Sequence, residues 1–309
     1  MQKIRQLIIL PLLTLFAIAT LSSCGGDSAE SGAIRVGSKD FAEQFILGEM
    51  YALVLEENGF PVERKLNLGG SQVTHESLKS GEIDLYPEYT GTGLITILKR
   101  PRNSDSQQVY KIVSQEYAEQ FNLEWLEPAP LNNTYALFMT PEDAQQYGIE
   151  TISDIVPQAN ELKMVGTYEF QGRPDGLSGL KEVYGDFKLA EYKPVNAALR
   201  YQALAQDQAD IAVGFATDGE VSALNLVRLE DDKNFFPPYQ VAPVVRQEVL
   251  EENPEIETIL NKLSATITDE TMQRLNYQVT GKQREPGEVA KEFLIEQGFL
   301  ESNNDEGEL

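Results

Sequence analysis

From Ile34 onward the sequence alternates short β-branched runs with amphipathic stretches at helical spacing, and it does so in two successive sets. This alternation constrains the fold most, because strand–helix–strand repeats cover a sheet with helices and so select an α/β architecture with a largely parallel sheet. The first set opens with Ile34-Arg35-Val36-Gly37, a short strand running into a turn. Asp40 stands three residues before Glu43, the spacing of a capping box at a helix start. Ile46, Met50, Leu53 and Val54 then recur at helical spacing as far as Asn58-Gly59. Further strands are predicted over 62–66 and 83–85, and helices over 72–79 and 93–99.

The second set predicts strands over 163–166, 187–191, 211–215 and 226–229, with helices over 177–184 and 197–207. Between the sets lie two extended apolar segments, 134–139 and 239–246, each beside a proline (Pro141, Pro243). The C-terminal third is periodic near 256–265, 270–279 and 288–297, and the polar, acidic stretch 301–309 is expected to fray. Two α/β units with two chain crossings imply a bilobed body: one lobe from 33–138 with 242–309, the other from 139–241. A ligand is then expected in the crevice beyond the strand ends, between the lobes.

Lys3 and Arg5 precede an apolar run over 7–21 that contains Pro11 and is followed by small residues. That is the layout of a secretory signal over 1–23, and it is short of the ~20 residues a membrane span needs. Leu21-Ser22-Ser23-Cys24-Gly25 resembles the bacterial lipobox, which implies cleavage before Cys24 and lipid on its sulfur. Residues 24–32 then form a polar tether. Losing 1–23, which carries two basic residues and no acid, takes the net charge from −24 to −26. The expected product is an exported protein anchored to the membrane by its lipid.

With 25 Lys+Arg against 49 Asp+Glu, a nucleic-acid binder is excluded, since it needs a basic face to neutralise phosphates. A single cysteine rules out intrachain disulfides and Cys-based zinc motifs. No phosphate loop, dinucleotide fingerprint, HExxH or nucleophile elbow is present. His75, the only histidine, reads as a surface or partly packed residue rather than a base. The chain is therefore read as a binding protein and not an enzyme, with no cofactor and no metal site.

Five segments in order give this binding protein a family. The run from Ile34 to Gln44, Tyr86-Pro87-Glu88-Tyr89-Thr90-Gly91-Thr92, Asn133-Thr134-Tyr135-Ala136-Leu137, Gly172-Arg173-Pro174-Asp175-Gly176-Leu177 and Phe235-Phe236-Pro237-Pro238-Tyr239 resemble the osmoprotectant-binding proteins of ABC importers, the glycine betaine, carnitine and choline group. The resemblance implies a two-lobed periplasmic-binding-protein fold with two crossovers. It also implies partners, a membrane permease with its separate ATPase, and a ligand whose quaternary ammonium sits among tyrosines. Carried over motif by motif, the ammonium residues are Tyr89, Tyr135 and Tyr239, with Phe215 where the family usually has tyrosine. The carboxylate residues are Lys39, Thr92 and Arg173. A quaternary ammonium has no N–H to donate, so ring faces are the groups that can recognise it, and an arginine fork suits a carboxylate. Phe215 keeps open another small cationic or amino-acid-like solute in the same fold. A ligand-sensing module and an exported lipoprotein hydrolase are the alternatives of other classes. Tyr51, Tyr86, Tyr201 and Trp125 are read as packing, and Asp218 as a turn or cap residue.

Overall fold

A computed structural model describes residues 32–301. The expected signal segment, the lipidation site Cys24 and the tether up to residue 31 lie outside the described residues.

The first set of alternations builds β1 (Ile34–Gly37), β2 (Val62–Lys65), β3 (Leu85–Tyr89) and β4 (Leu123–Trp125). The second builds β5 (Tyr135–Met139), β6 (Lys163–Gly166), β7 (Glu191–Pro194), β8 (Ile211–Phe215) and β9 (Val227–Arg228), and β10 (Val241–Arg246) follows. They assemble into two five-stranded sheets, ordered β2-β1-β3-β10-β4 and β7-β6-β8-β5-β9. In each, three neighbours run parallel, and the fourth strand pairs antiparallel with both its neighbours. The sheets are thus mixed rather than largely parallel. The strand responsible is the one that enters from the other sheet, β10 in the first and β5 in the second. β5 lies whole in the second sheet, with Tyr135 opposite Phe215 and Ala136 opposite Gly214. The first crossing therefore precedes Tyr135, whereas a boundary at 138/139 would cut this strand in two.

The two crossings are bonded to each other. Asn133 N donates to Tyr239 O at 3.1 Å and Ala129 N to Val241 O at 2.8 Å. Asn132 and Gln240 form a β-bridge, and the Asn132 side chain accepts from Tyr239 N at 2.8 Å.

Several predicted elements shift for identifiable reasons. Helix Ala42–Glu57 forms as expected and buries Ile46, Met50 and Val54. However, Phe41 is its N-cap residue and no side chain caps it: the Asp40/Glu43 pair makes no capping box, because Glu43 is drawn inward by the contacts described below. The third strand runs 85–89, not 83–85, and the predicted helix 93–99 is a short turn, Thr90–Thr92, continuing as a π-helical turn, Gly93–Ile97. The seventh strand begins at Glu191, because Phe187 and Leu189 are buried from a loop instead. His75 is buried, stacked edge-on against Tyr117 and Phe121, so it is deeper than a partly packed residue. Among the described residues no helix is long and apolar enough to cross a membrane.

Candidate ligand-binding site

In an α/β sheet the crevice lies beyond the carboxyl ends of the parallel strands, where the strand order reverses. Here that rule places residues from both sheets. Lys39 and Phe41 follow β1, and Tyr89 ends β3; across the cleft, Glu169 follows β6 and Phe215 ends β8. The antiparallel entering strands add their first residues. Tyr135 opens β5 opposite Phe215, and Tyr239 precedes Val241, which pairs with Tyr89. All seven side chains expected from the sequence, Lys39, Tyr89, Thr92, Tyr135, Arg173, Phe215 and Tyr239, line one cavity of about 380 Å³. That is at the small end of the roughly 300–1,000 Å³ typical of small-molecule sites.

The rings follow one another around this cavity. Tyr89 and Phe41 have centroids 6.3 Å apart, Phe41 and Phe215 6.0 Å, Phe215 and Tyr135 4.8 Å, and Tyr135 and Tyr239 5.7 Å at nearly right angles. Phe41 was not foreseen as part of the site. It joins the Tyr89 side to the Phe215 side, and the available signal was its place inside the Ile34–Gln44 motif. Burial pushes the phenols of Tyr89, Tyr135 and Tyr239 above their ordinary range, so they remain neutral.

Two hidden carboxylates hold two of the rings. Glu43 accepts from Tyr89 Oη at 2.7 Å, Asn133 Nδ2 at 2.7 Å, Thr217 Oγ1 at 2.6 Å and Asn276 Nδ2 at 2.9 Å. It therefore ties the first sheet's long helix to a crossing, to the loop after β8 and to helix Asp269–Thr280. Burial raises the Glu43 carboxyl above its ordinary value, against the pull of its hydrogen bonds from Thr217, Tyr89 and Asn276. Asp175 accepts from Tyr239 Oη and takes Arg173 in a bidentate pair, Nε at 2.8 Å and Nη2 at 2.6 Å.

The cations of the site are also paired. Lys39 Nζ is 2.5 Å from Glu88 Oε1 and 5.2 Å from the Tyr89 ring centre. Glu88 further accepts from Tyr86 Oη at 2.9 Å, so Tyr86 belongs to the polar support of Lys39 as well as to packing. Arg173 Nη1 donates to Glu169 Oε1 at 2.8 Å, and its guanidinium lies 5.6 Å from the Tyr135 ring. Behind Phe215, Arg200 sits 5.0 Å from the ring and pairs with Asp218 at 3.0 Å. Asp218 also accepts from Phe215 N, closing the turn as a residue of its type does.

Comparison with known proteins identifies the family of the chain. The family model described as the substrate-binding domain of the ABC-type glycine betaine transport system matches residues 32–296. A protein of Helicobacter pylori (strain G27) named as an ergothioneine transport permease and ergothioneine-binding protein is 38% identical over 275 residues, which cover 88% of this chain. The match takes in 49% of that protein, so this chain spans about half its length. The carnitine transport binding protein of Listeria monocytogenes is 34% identical over 292 residues, 92% of this chain and 94% of the relative. A crystal structure described as a glycine betaine/carnitine/choline ABC transporter is 33% identical with a TM-score of 0.74, covering 86% of this chain and 99% of that one. The bilobed α/β fold expected of the chain is the fold of these relatives, and the chain belongs to the family of substrate-binding domains of ABC-type glycine betaine transport systems, a family of binding proteins and not of enzymes.

Proposed function

We propose that this chain binds a betaine, a quaternary ammonium joined to a carboxylate, between its two sheets and delivers it to the permease of an ABC importer driven by a separate ATPase. It works outside the cytoplasm, held to the membrane through lipid on Cys24. The observation that carries the reading is the unbroken run of five rings on one cavity that Arg173 also lines. Rings attract a desolvated cation by about 0.5–2 kcal/mol each, so several together supply a useful part of the ~8 kcal/mol behind a micromolar affinity. Tyr89, Tyr135, Phe215, Tyr239 and Phe41 hold the ammonium, and Arg173 and Thr92 the carboxylate. Lys39 joins them at the carboxylate, since its bond to Glu88 uses one of the three N–H groups of its ammonium. Closure of the lobes on the ligand brings both half-sites together and dries the cavity.

A second betaine reading has its own support. Ergothioneine is a trimethylated amino acid with the same two charged ends on a larger body, and the Helicobacter relative is named for it. Calorimetric titration of the mature protein with glycine betaine, carnitine, choline and ergothioneine ranks these ligands. At least one betaine is expected to bind, and Tyr89→Ala and Tyr239→Ala each to weaken it by roughly tenfold or more. A folded wild-type protein that gives no heat with any of the four overturns the ligand class.

A further inference from the structure

Arg173 is the cation expected to receive a ligand carboxylate, yet each of its three nitrogens already has a carboxylate partner. Asp175, with 0% of its side chain exposed, takes Nε and Nη2. The donor nitrogen left is Nη1, and Glu169 holds it at 2.8 Å. Glu169 lies on the short helix Tyr168–Gly172 that follows β6, lines the cavity, and has 45% of its side chain exposed. The same oxygen that accepts from Arg173 also accepts from Ser71 Oγ at 3.4 Å. Ser71 belongs to the first sheet's part of the chain, in the first turn of helix Ser71–Lys79, whose N-terminus has no side-chain cap. A carboxylate belonging to the protein thus sits in the cavity, on the arginine nitrogen that Asp175 leaves, reaching across the cleft to an uncapped helix start.

We propose that Glu169 is an internal stand-in for the ligand's carboxylate, holding Arg173 Nη1 and swinging out when a zwitterion binds. The inference rests on the betaine reading above and adds the residue that decides between betaines and cations without a carboxylate. Asp175 already balances the arginine charge, so a ligand carboxylate placed on Nη1 beside Glu169 meets a like charge. Two such charges side by side repel even in water, and more strongly as water leaves. Asp175 is buried and held by two bonds plus Tyr239; Glu169 is half exposed with solvent to move into, so Glu169 is the group that yields. A ligand that ends in a hydroxyl has no reason to displace it, and keeps Glu169 as a hydrogen-bond acceptor.

The test compares two ligands that share a trimethylammonium head and differ at the tail. Glycine betaine and choline are titrated into wild type, Glu169→Gln and Glu169→Ala, with melting temperatures recorded to establish folding. Removal of the stand-in is expected to tighten glycine betaine by roughly three- to tenfold while choline stays level or weakens. The alanine variant separates loss of the charge from any new bond that glutamine makes. An unchanged betaine-to-choline ratio in both variants, or a fall in betaine affinity to match choline, overturns the role of Glu169 and leaves the betaine reading standing. Failure of wild type to bind either ligand or any other betaine overturns that reading and this inference with it.

Discussion

His75, at 2% exposed, is surrounded by Tyr117 and Phe121, and its Nδ1 has no hydrogen-bond partner. Burial, helped by the nearby charge of Lys79, lowers its pKa to about 4. A histidine whose pKa is depressed on folding stabilises the fold above its ordinary value of 6.5, and that stability is lost as pH falls toward 4. Between pH 7 and pH 5 the loss amounts to about 2 kcal/mol. It is the only histidine, so no other imidazole contributes to this slope, and the raised carboxyl of Glu43 acts with the opposite sign. Chemical denaturation at the two pH values is expected to show the loss in wild type and to show it largely abolished in His75→Phe. An equal slope in both proteins would place the pH sensitivity elsewhere. At this scale the sequence was informative where a residue sat inside a motif and silent where its role depended on a distant partner. The Tyr and Arg positions were readable for the first reason. Glu88 beneath Lys39, and Glu43 beneath Tyr89, could not be seen, since each pair is more than 40 positions apart in the chain. Phe41 was overlooked because an aromatic residue just before a helix usually serves ordinary packing at the helix start.

Among the elements, the turn Thr90–Thr92 has a demanding position. A Cβ on Gly91 would stand 2.7 Å from Pro238 O and 2.7 Å from the Tyr239 ring. The glycine is therefore what lets the end of β3 lie against the second crossing. Overpacking of this kind costs about 1–3 kcal/mol. Gly91→Ala is expected to lower the melting temperature and also to weaken ligand binding, because the ring that must give way is Tyr239. Normal affinity in a folded Gly91→Ala protein would separate this contact from the site. Elements with regular apolar spacing were legible, including the strands 163–166 and 211–215 and the helix 177–184. Helix Ser106–Phe121 went unread, because it buries a stripe only one residue wide, Val109, Val113 and Tyr117. β3 was misplaced because its sequence, Leu-Tyr-Pro-Glu-Tyr, holds two residues that strands normally avoid. Its proline pairs with Pro243 on β10, and its buried glutamate is matched by Lys39.

At the scale of the whole molecule, the two sheets share one strand order, and each is completed by a strand arriving from the other side. The alternation in the sequence made the two α/β units and the double crossing readable. It could not reveal that the crossings bond to each other, because that pairing joins residues near 132 to residues near 240. This ribbon has a consequence in time. Tyr135 and Tyr239 stand at its edge in contact with each other, so on the proposed betaine reading this half of the ring set persists while the lobes are apart and offers an arriving cation a surface. Phe215 stays beside Tyr135 in the same sheet; under the proposed closure it is Phe41, on the first sheet's side, that comes up to Phe215. Association is then governed by encounter with the ribbon, and residence by the closed state. Stopped-flow binding with Phe41→Ala is expected to show a faster off-rate with an on-rate close to wild type, and an on-rate that falls as steeply as the off-rate rises would refute this order of events. On that reading, two paired chain crossings separate how fast a solute is caught from how long it is kept.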